Sequence, residues 1–229
     1  MNNRTVNTLF MLMSVDGKIS TGVDDSFDFD KDLPEIPMIR DGLQQYYDIE
    51  QTTDLWSFIS ARVLVKTGVN KKSGAPKKTP VSFIVVDNRQ HLTESGITYL
   101  SQKLARLIIV TTNENYETFD NKNHYGNVSK IFYRDKIDFT SLFEVMKSSW
   151  KTDRITIQSG RTLNGVLLRE KLVDYINIVV APLLVGGKDV ATLIGGKNPD
   201  NLSNLGILEL IECKVLDNSY LNLKYKVMK

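Results

Sequence analysis

The sequence has 229 residues, of which 41% are hydrophobic and 24% charged, and its net charge is +2. These values are typical of one globular domain over residues 1–229 and exclude a disordered chain. The near-neutral charge gives no reason to expect nucleic acid or a membrane surface as a partner. The single cysteine, Cys213, excludes an internal disulfide, and no secretory signal pattern opens the chain, so we expect a cytoplasmic protein.

An apolar run at 6–13 predicts a strand that is buried on both faces of a sheet. It ends at Ser14, Asp16 and Gly17, and the carboxyl ends of strands are where α/β sheets place ligands. The same residues suit a plain tight turn equally well. The acidic stretch at 21–37 lacks the spacing of a calcium loop, so we expect a solvated loop that borders a cleft.

The middle of the chain alternates between helical and strand patterns. Helical spacing predicts a helix over 41–60, with a second helical turn beginning at Asp54, then a strand at 62–66 and a basic loop at 71–78. Further strands are predicted at 81–86, 107–111 and 130–133, and further helices at 97–104 and 139–150.

The stretch from 155 to 172 predicts a strand, a tight turn and a helix in direct succession. Residues 155–157 are mostly β-branched, Ser159 and Gly160 form the turn, and apolar residues then recur at helical spacing. Backbone N–H groups at the start of such a helix can bind a phosphate. A single glycine does not satisfy the dinucleotide fingerprint, and turns of this kind are often purely architectural.

A strand at 175–181, a glycine-flanked loop at 186–196 and two antiparallel strands at 205–214 and 219–228 complete the chain. This order predicts an α/β fold with a single-domain three-layer αβα arrangement: a mixed, mostly parallel sheet with a C-terminal antiparallel hairpin. With only His91, His124 and one cysteine we expect no metal site, and the nucleophile elbow of serine hydrolases is missing.

Three motifs together resemble a known family. They are SVDGKI at 14–19, QSGRTL at 158–163, and LVDYI at 172–176 followed by APLLVGG at 181–187. In order and spacing they are similar to S-x-D-G-x-I, E-G-G-x-x-L and L-V-D-E…P-x-x-x-G-G of the reductase domain of riboflavin biosynthesis. This is the RibD C-terminal domain-like family, which shares the dihydrofolate reductase fold, and the chain resembles its free-standing form.

The resemblance implies a homodimeric, NADPH-dependent reductase similar to 5-amino-6-(5-phosphoribosylamino)uracil reductase, with hydride transfer to the imine of the ring-opened ribose. Its substrate would be a phosphorylated ribosylaminopyrimidine. By the match, the substrate would be bordered by Ser14, Asp16 and Gln158, with Asp16 as the candidate catalytic residue. The cofactor would contact Met13, Thr67, Asn88, Arg89, Ser159, Gly160, Arg161, Thr162 and Leu163, with Thr162 capping the helix and Arg89 reading the 2′-phosphate.

The sequence departs from the family pattern at positions that, by the match, lie next to the reacting atoms of substrate and cofactor. Gln158 replaces the motif glutamate, Ser159 its first glycine, Phe10 a common lysine, and 66–70 a G-x-x-T segment. An amide cannot act as an acid or base, so the proton would come from Asp16, water or the substrate phosphate. Two other functions remain open: a reductase of the same fold for another carbonyl, imine or pterin-like compound, and a non-catalytic nucleotide-binding protein. We also expect the closing hairpin to contribute to a dimer interface.

Overall fold

The computed structural model describes residues 3–117 and 126–229, except for the side chain of Ser203. The chain forms two compact units: the central unit comprises residues up to 5 together with 54–155, and the terminal unit comprises 6–53 and 156–229. None of the helices within the described ranges is long and apolar enough to cross a membrane. The prediction of a single domain is not tested by this division and stays a prediction.

The elements in chain order are β1 (Val6–Ser14), α1 (Phe29–Asp32), α2 (Pro37–Glu50), β2 (Trp56–Ser60), α3 (Ala61–Lys66), β3 (Ser82–Val86), α4 (Glu94–Lys103), β4 (Arg106–Thr111), β5 (Val128–Phe132), α5 (Phe139–Ser148), β6 (Arg154–Ile157), α6 (Arg161–Arg169), β7 (Tyr175–Ala181), β8 (Ile207–Val215) and β9 (Leu221–Met228). Single 3₁₀ turns occupy Leu33–Glu35, Val69–Lys71, Leu202–Asn204 and Asp217–Ser219.

In the central unit, the strand order β5-β4-β3-β2 is parallel throughout, and successive side chains point to opposite faces. On one face, Phe58 of β2 packs edge-on against Phe139 and Phe143 of α5. On the other, its neighbour Ile59 joins the buried apolar cluster that includes Ile97 of α4. Helices therefore cover both faces of this sheet.

The terminal unit holds strands in the order β6-β1-β7-β9-β8, and β6 begins at the end of the central unit. β1 and β7 are parallel, whereas β9 is antiparallel to both β7 and β8. Helix α2 packs Leu43 and Tyr46 against Phe10 of β1 and Tyr220 near β9. The expectation of a mixed, mostly parallel sheet with a C-terminal antiparallel hairpin is confirmed.

Three local predictions are wrong. The expected helical turn after Asp54 is strand β2, because its aromatic and β-branched residues pair with β3. The expected strand at 62–66 is helix α3, which buries Ala61 and Leu64 three residues apart on one side. The acidic stretch is not entirely a solvated loop, since α1 lies within it and buries Phe29.

Candidate active site

The turn after β1 is closed by its own residues. Gly17 has a φ of +79°, which glycine adopts without strain, and its N–H donates to the Ser14 carbonyl oxygen at 3.0 Å. The Ser14 hydroxyl donates to Asp16 Oδ1 at 2.6 Å and accepts from the Lys18 N–H at 2.9 Å. The structure thus brings together Ser14 and Asp16, as the sequence predicted for a turn, in a hydrogen-bonded arrangement.

Asp16 is bound by the loop after β7. Its carboxylate accepts from the N–H of Val185 at 3.1 Å and from the N–H of Gly186 at 2.7 Å. The hydrogen bond from Ser14, followed by those two backbone bonds, lowers the pKa of Asp16 from 3.8 to about 2. The group is therefore an ionised hydrogen-bond acceptor near neutral pH, which is the opposite of what a proton donor needs.

Lys18 completes this connection and was not singled out by the sequence. Its side chain is buried, and Nζ donates to the carbonyl oxygens of Gly187 at 2.6 Å and Val190 at 3.3 Å. We call Ser14, Asp16 and Lys18 together with segment 185–190 the β1 clasp. A lysine one residue after an Asp-Gly turn carries no pattern that predicts burial, so only the folded chain reveals it.

The turn between β6 and α6 is built differently. Helix α6 has Gly160 as its N-cap, in ordinary extended conformation with φ −79°, and no side chain caps it. The expected cap by Thr162 is therefore wrong, because Thr162 lies inside the first turn. A Cβ added to Gly160 would meet nothing within 4 Å. The start of α6 thus offers backbone N–H groups and open space, which suits an anion such as a diphosphate.

Ser159 and Asn164 hold this turn in place. Ser159 is 1% exposed, and its hydroxyl donates to Asn164 Oδ1 at 2.6 Å. Asn164 Nδ2 in turn donates to the Leu193 carbonyl oxygen at 2.9 Å. At Gly165 any Cβ would come within 2.0 Å of the Gly195 carbonyl oxygen, so glycine is required for that close approach. Side chains on one side of α6 therefore fix its N-terminus.

The other residues expected at the cofactor fall in both units. Arg161 Nη1 donates to the Asp189 carbonyl oxygen at 3.4 Å, Met13 pairs with Val180 across β1 and β7, and Leu163 is half-buried in α6. In the central unit, Thr67 Oγ1 donates to the Leu64 carbonyl oxygen at 2.8 Å. Asn88 Oδ1 accepts from the Thr112 N–H at 2.9 Å, and Arg89 beside it is exposed.

A buried carboxylate orders the loop that carries Asn88 and Arg89. Asp87 is 1% exposed and accepts from the N–H groups of His91 and Leu92, at 2.9 and 3.0 Å, and from the Tyr116 hydroxyl at 2.9 Å. Burial and then the charge of Asp87 raise the pKa of Tyr116, which keeps its proton.

Gln158, at the end of β6, lies in a polar cluster formed with α2. Its Nε2 donates to Glu50 Oε1. On the same helix, Tyr46 stacks on the buried Phe10 ring with centroids 5.2 Å apart and planes 1° from parallel. Phe10 and Gln158 are two of the positions at which the sequence departs from the family pattern. No group that could hold a metal ion occurs in the described ranges, outside which His124 lies.

The fold defines a class, the α/β proteins with the dihydrofolate reductase fold. Dihydrofolate reductase from Enterococcus faecalis aligns with 100% of this chain and 99% of its own, with a TM-score of 0.51 at 10% identity. Acinetobacter baumannii RibD aligns with 99% of this chain with a TM-score of 0.71 at 14% identity, and the chain spans 59% of that RibD.

Within that class the family follows from the sequence. The RibD C-terminal domain family matches residues 5–221, and the chain belongs to it. A relative from Methanothermobacter thermautotrophicus, the 2,5-diamino-6-ribosylamino-4(3H)-pyrimidinone 5′-phosphate reductase, is 27% identical over 201 residues, which cover 86% of this chain and 87% of the relative. The resemblance inferred from the three motifs is confirmed.

Proposed function

We propose that this protein is an NADPH-dependent oxidoreductase of riboflavin biosynthesis that reduces a ribosylaminopyrimidine 5′-phosphate. The observation that carries the proposal is the family match over residues 5–221. The Methanothermobacter relative covers most of the chain and is named as a reductase of 2,5-diamino-6-ribosylamino-4(3H)-pyrimidinone 5′-phosphate. We therefore propose that compound as the substrate, ahead of the related uracil expected from the motifs.

We propose that the start of α6 holds the diphosphate of the cofactor through backbone N–H groups from Gly160 onward. The uncapped helix start and the open space beside Gly160 support this assignment. Met13 would lie against the nicotinamide, which supplies the hydride when bound. Arg89, an exposed guanidinium beside Asn88, is proposed to select the 2′-phosphate and hence NADPH over NADH.

We propose that Ser14, Asp16 and Gln158 border the substrate. Asp16 would act there as a fixed negative acceptor, because its pKa of about 2 leaves it ionised near neutral pH. The proton that accompanies the hydride would then come from water or from the substrate phosphate. The role of this chain would be to hold the imine carbon close to the hydride donor in a cleft that excludes bulk water.

The test has two stages. Trp56 and Trp150, which contact each other with ring centroids 6.1 Å apart, report binding of NADPH and NADH by fluorescence quenching. The diaminopyrimidinone phosphate and its uracil counterpart are then added in turn while the reduced-nicotinamide absorbance is followed. We expect tighter binding of NADPH and faster oxidation with the diaminopyrimidinone.

The outcomes separate the competing functions. Binding with turnover of only other carbonyl, imine or pterin-like compounds would identify a reductase with a different substrate. Tight binding with no turnover of any of them would favour a non-catalytic nucleotide-binding protein. If neither nucleotide bound, the reductase proposal would be wrong.

We also propose that β8 and β9 contribute to a homodimer. β8 is the last strand of its sheet, and its large apolar residues are exposed on both faces: Ile207, Leu208, Leu210, Ile211 and Val215. An exposed apolar edge strand of this kind is normally covered by another chain. A second copy is the occupant we propose, as the family resemblance implies.

Sedimentation at micromolar concentration tests the dimer. We expect a dimer for the natural chain and a monomer for Ile211→Lys, with Val23→Lys as the control, because Val23 is exposed outside this strand. Cys213 on β8 is exposed in the single chain, so its alkylation should be slower in the dimer. A natural chain that sediments only as a monomer would contradict the proposal.

A further inference from the structure

The polar cluster at the C-terminal end of α2 has a feature that the motifs do not predict. Glu50 ends the helix, is half-buried, and accepts a hydrogen bond from Nε2 of Gln158. The two residues are 108 positions apart in sequence. Tyr46, one turn earlier on α2, is 7% exposed and also hydrogen bonds to the Gln158 side chain. One side of the Gln158 amide therefore faces α2.

An ionised carboxylate fixes which side of an amide faces it. A glutamine side chain carries two N–H donors on one side and a carbonyl acceptor on the other. A carboxylate can only accept, so it holds the NH₂ group of Gln158 toward Glu50 and turns the carbonyl oxygen away from it. A neutral amide partner at position 50 would permit either orientation, since it both donates and accepts.

The surroundings of the pair favour a single fixed arrangement. The titratable groups around it are Tyr46 and Tyr47 of α2, Asp30 of α1 and Asp28, the N-cap of α1. Burial, and then the charges of Glu50 and Asp30, raise the pKa of Tyr46, so its hydroxyl stays protonated. The Tyr47 hydroxyl donates to Asp30 Oδ1 at 3.0 Å, so the Asp30 carboxylate has a hydrogen-bond donor of its own. Phe10 closes the cluster by stacking on Tyr46.

We propose that Glu50 is a positioning residue that locks Gln158 with its carbonyl oxygen turned toward the substrate, where it accepts a hydrogen bond from a substrate N–H group. The proposal rests on the proposed function, because it assumes that Gln158 borders the substrate. In this arrangement the amide presents an acceptor, as a carboxylate at position 158 would, and no proton is exchanged there. An amino-substituted pyrimidine supplies the N–H donors that such an acceptor recognises.

Exchanging the two side chains gives the sharpest test. Glu50→Gln, Gln158→Glu and the double exchange are compared with the natural chain by pH profiles of kcat and KM for the diaminopyrimidinone phosphate, with NADPH affinity measured alongside. The matched control is Asp48→Asn, which removes an exposed carboxylate from the same helix, where Asp48 Oδ1 accepts from Gln44 Nε2 at 2.8 Å. It should behave like the natural chain.

We expect Glu50→Gln to raise KM by about tenfold, which corresponds to the loss of one hydrogen bond. The values of kcat and of NADPH affinity should change little. Gln158→Glu places two carboxyl groups side by side, so the pKa of one is raised and kcat/KM gains a new ionisation toward neutral pH. The double exchange restores one carboxylate and one amide. It should recover most of the activity and lose the new ionisation.

Two results would overturn the inference: a KM for Glu50→Gln within about twofold of the Asp48→Asn control, or a double exchange no more active than Gln158→Glu. The side-chain NH₂ signals of Gln158 in NMR spectra provide a readout that needs no turnover. They should shift as Glu50 titrates and lose that response in Glu50→Gln. If the natural chain reduced no substrate but this response were present, the proposed function would be wrong, whereas the orientation of Gln158 by Glu50 would be supported. If the response were absent, the proposed orientation of Gln158 would be refuted.

Discussion

The turns after β1 and β6 contain similar residue types but differ in how their polar groups are bonded. The turn after β1 carries a carboxylate and a lysine, yet both are hydrogen-bonded to the protein's own backbone in the β1 clasp. The turn after β6 has no charged side chain at Gly160, and the helix start there is uncapped and open. The polar side chains of the first turn are therefore held by the protein's own backbone, whereas the second turn leaves backbone N–H groups for the diphosphate that we propose to bind there.

The difference has an electrostatic origin. A carboxylate that accepts a hydroxyl hydrogen bond and two backbone N–H hydrogen bonds is stabilised in its ionised form, so the pKa of Asp16 is lowered. An uncapped helix start carries partial positive charge with no partner from its own side chains. Three predictions test this contrast, beginning with the one that should have the largest effect.

Gly160→Asp should lower NADPH affinity by at least about a hundredfold. Two unit charges about 4 Å apart repel by roughly 4 kcal/mol in a surface environment, and the new carboxylate would also cap the helix in place of the diphosphate. Because φ at Gly160 is −79° and a Cβ there has room, the fold should be retained. Fluorescence titration measures the effect.

Gly160→Asn is the matched control for that change, since it has nearly the same size and caps helices equally well without the charge. We expect it to bind NADPH distinctly more tightly than the aspartate variant. Equal affinity of Gly160→Asp and the natural chain would show that the diphosphate does not bind at this helix start.

Lys18→Met should lower the free energy of unfolding by roughly 1–3 kcal/mol, the range for charged hydrogen bonds that are lost while their partners stay buried. Methionine keeps the apolar stem and removes the bonds to the carbonyl oxygens of Gly187 and Val190. Urea unfolding measures the change. Lys188→Met removes an exposed lysine from the same loop and should leave the midpoint almost unchanged; similar losses in both variants would argue against a stabilising clasp.

The smallest effect should be a pH dependence that arises at Asp16. Its pKa is about 2 in the folded chain and 3.8 when unperturbed, so folding favours the ionised form. The stabilisation is complete above the unfolded value and is lost as the pH falls from about 4 toward 2. Asp16→Asn should therefore be less stable than the natural chain at pH 6, and the gap between their urea midpoints should narrow on acidification. A constant gap would mean that the charge of Asp16 contributes nothing.

The local spacing of apolar residues predicted most elements, because in most of them the apolar positions are the ones that the fold buries. The apolar run of β1, the β-branched start of β6 and the helix α5 place apolar residues where the sheet or helix buries them. The closing hairpin forms as predicted, although the apolar residues of β8 stay exposed in the single chain. Two of the three wrong local predictions fall at 54–66, where short apolar runs suit either a strand or a helix. There the pairing of β2 with β3 and the burial of one side of α3 decided the outcome.

The sequence by itself determined the family, most of the elements and the helix start at Gly160, because each motif and each element depends on neighbours close in sequence. Tertiary structure alone decided which polar groups meet. Asp16 bonds to backbone 169 and 170 positions away, and Gln158 to Glu50 over 108 positions. Such contacts arise from how the strands and α2 pack, and no local spacing encodes them. For that reason the sequence identified Asp16 and Gln158 but gave no sign of Lys18 or Glu50.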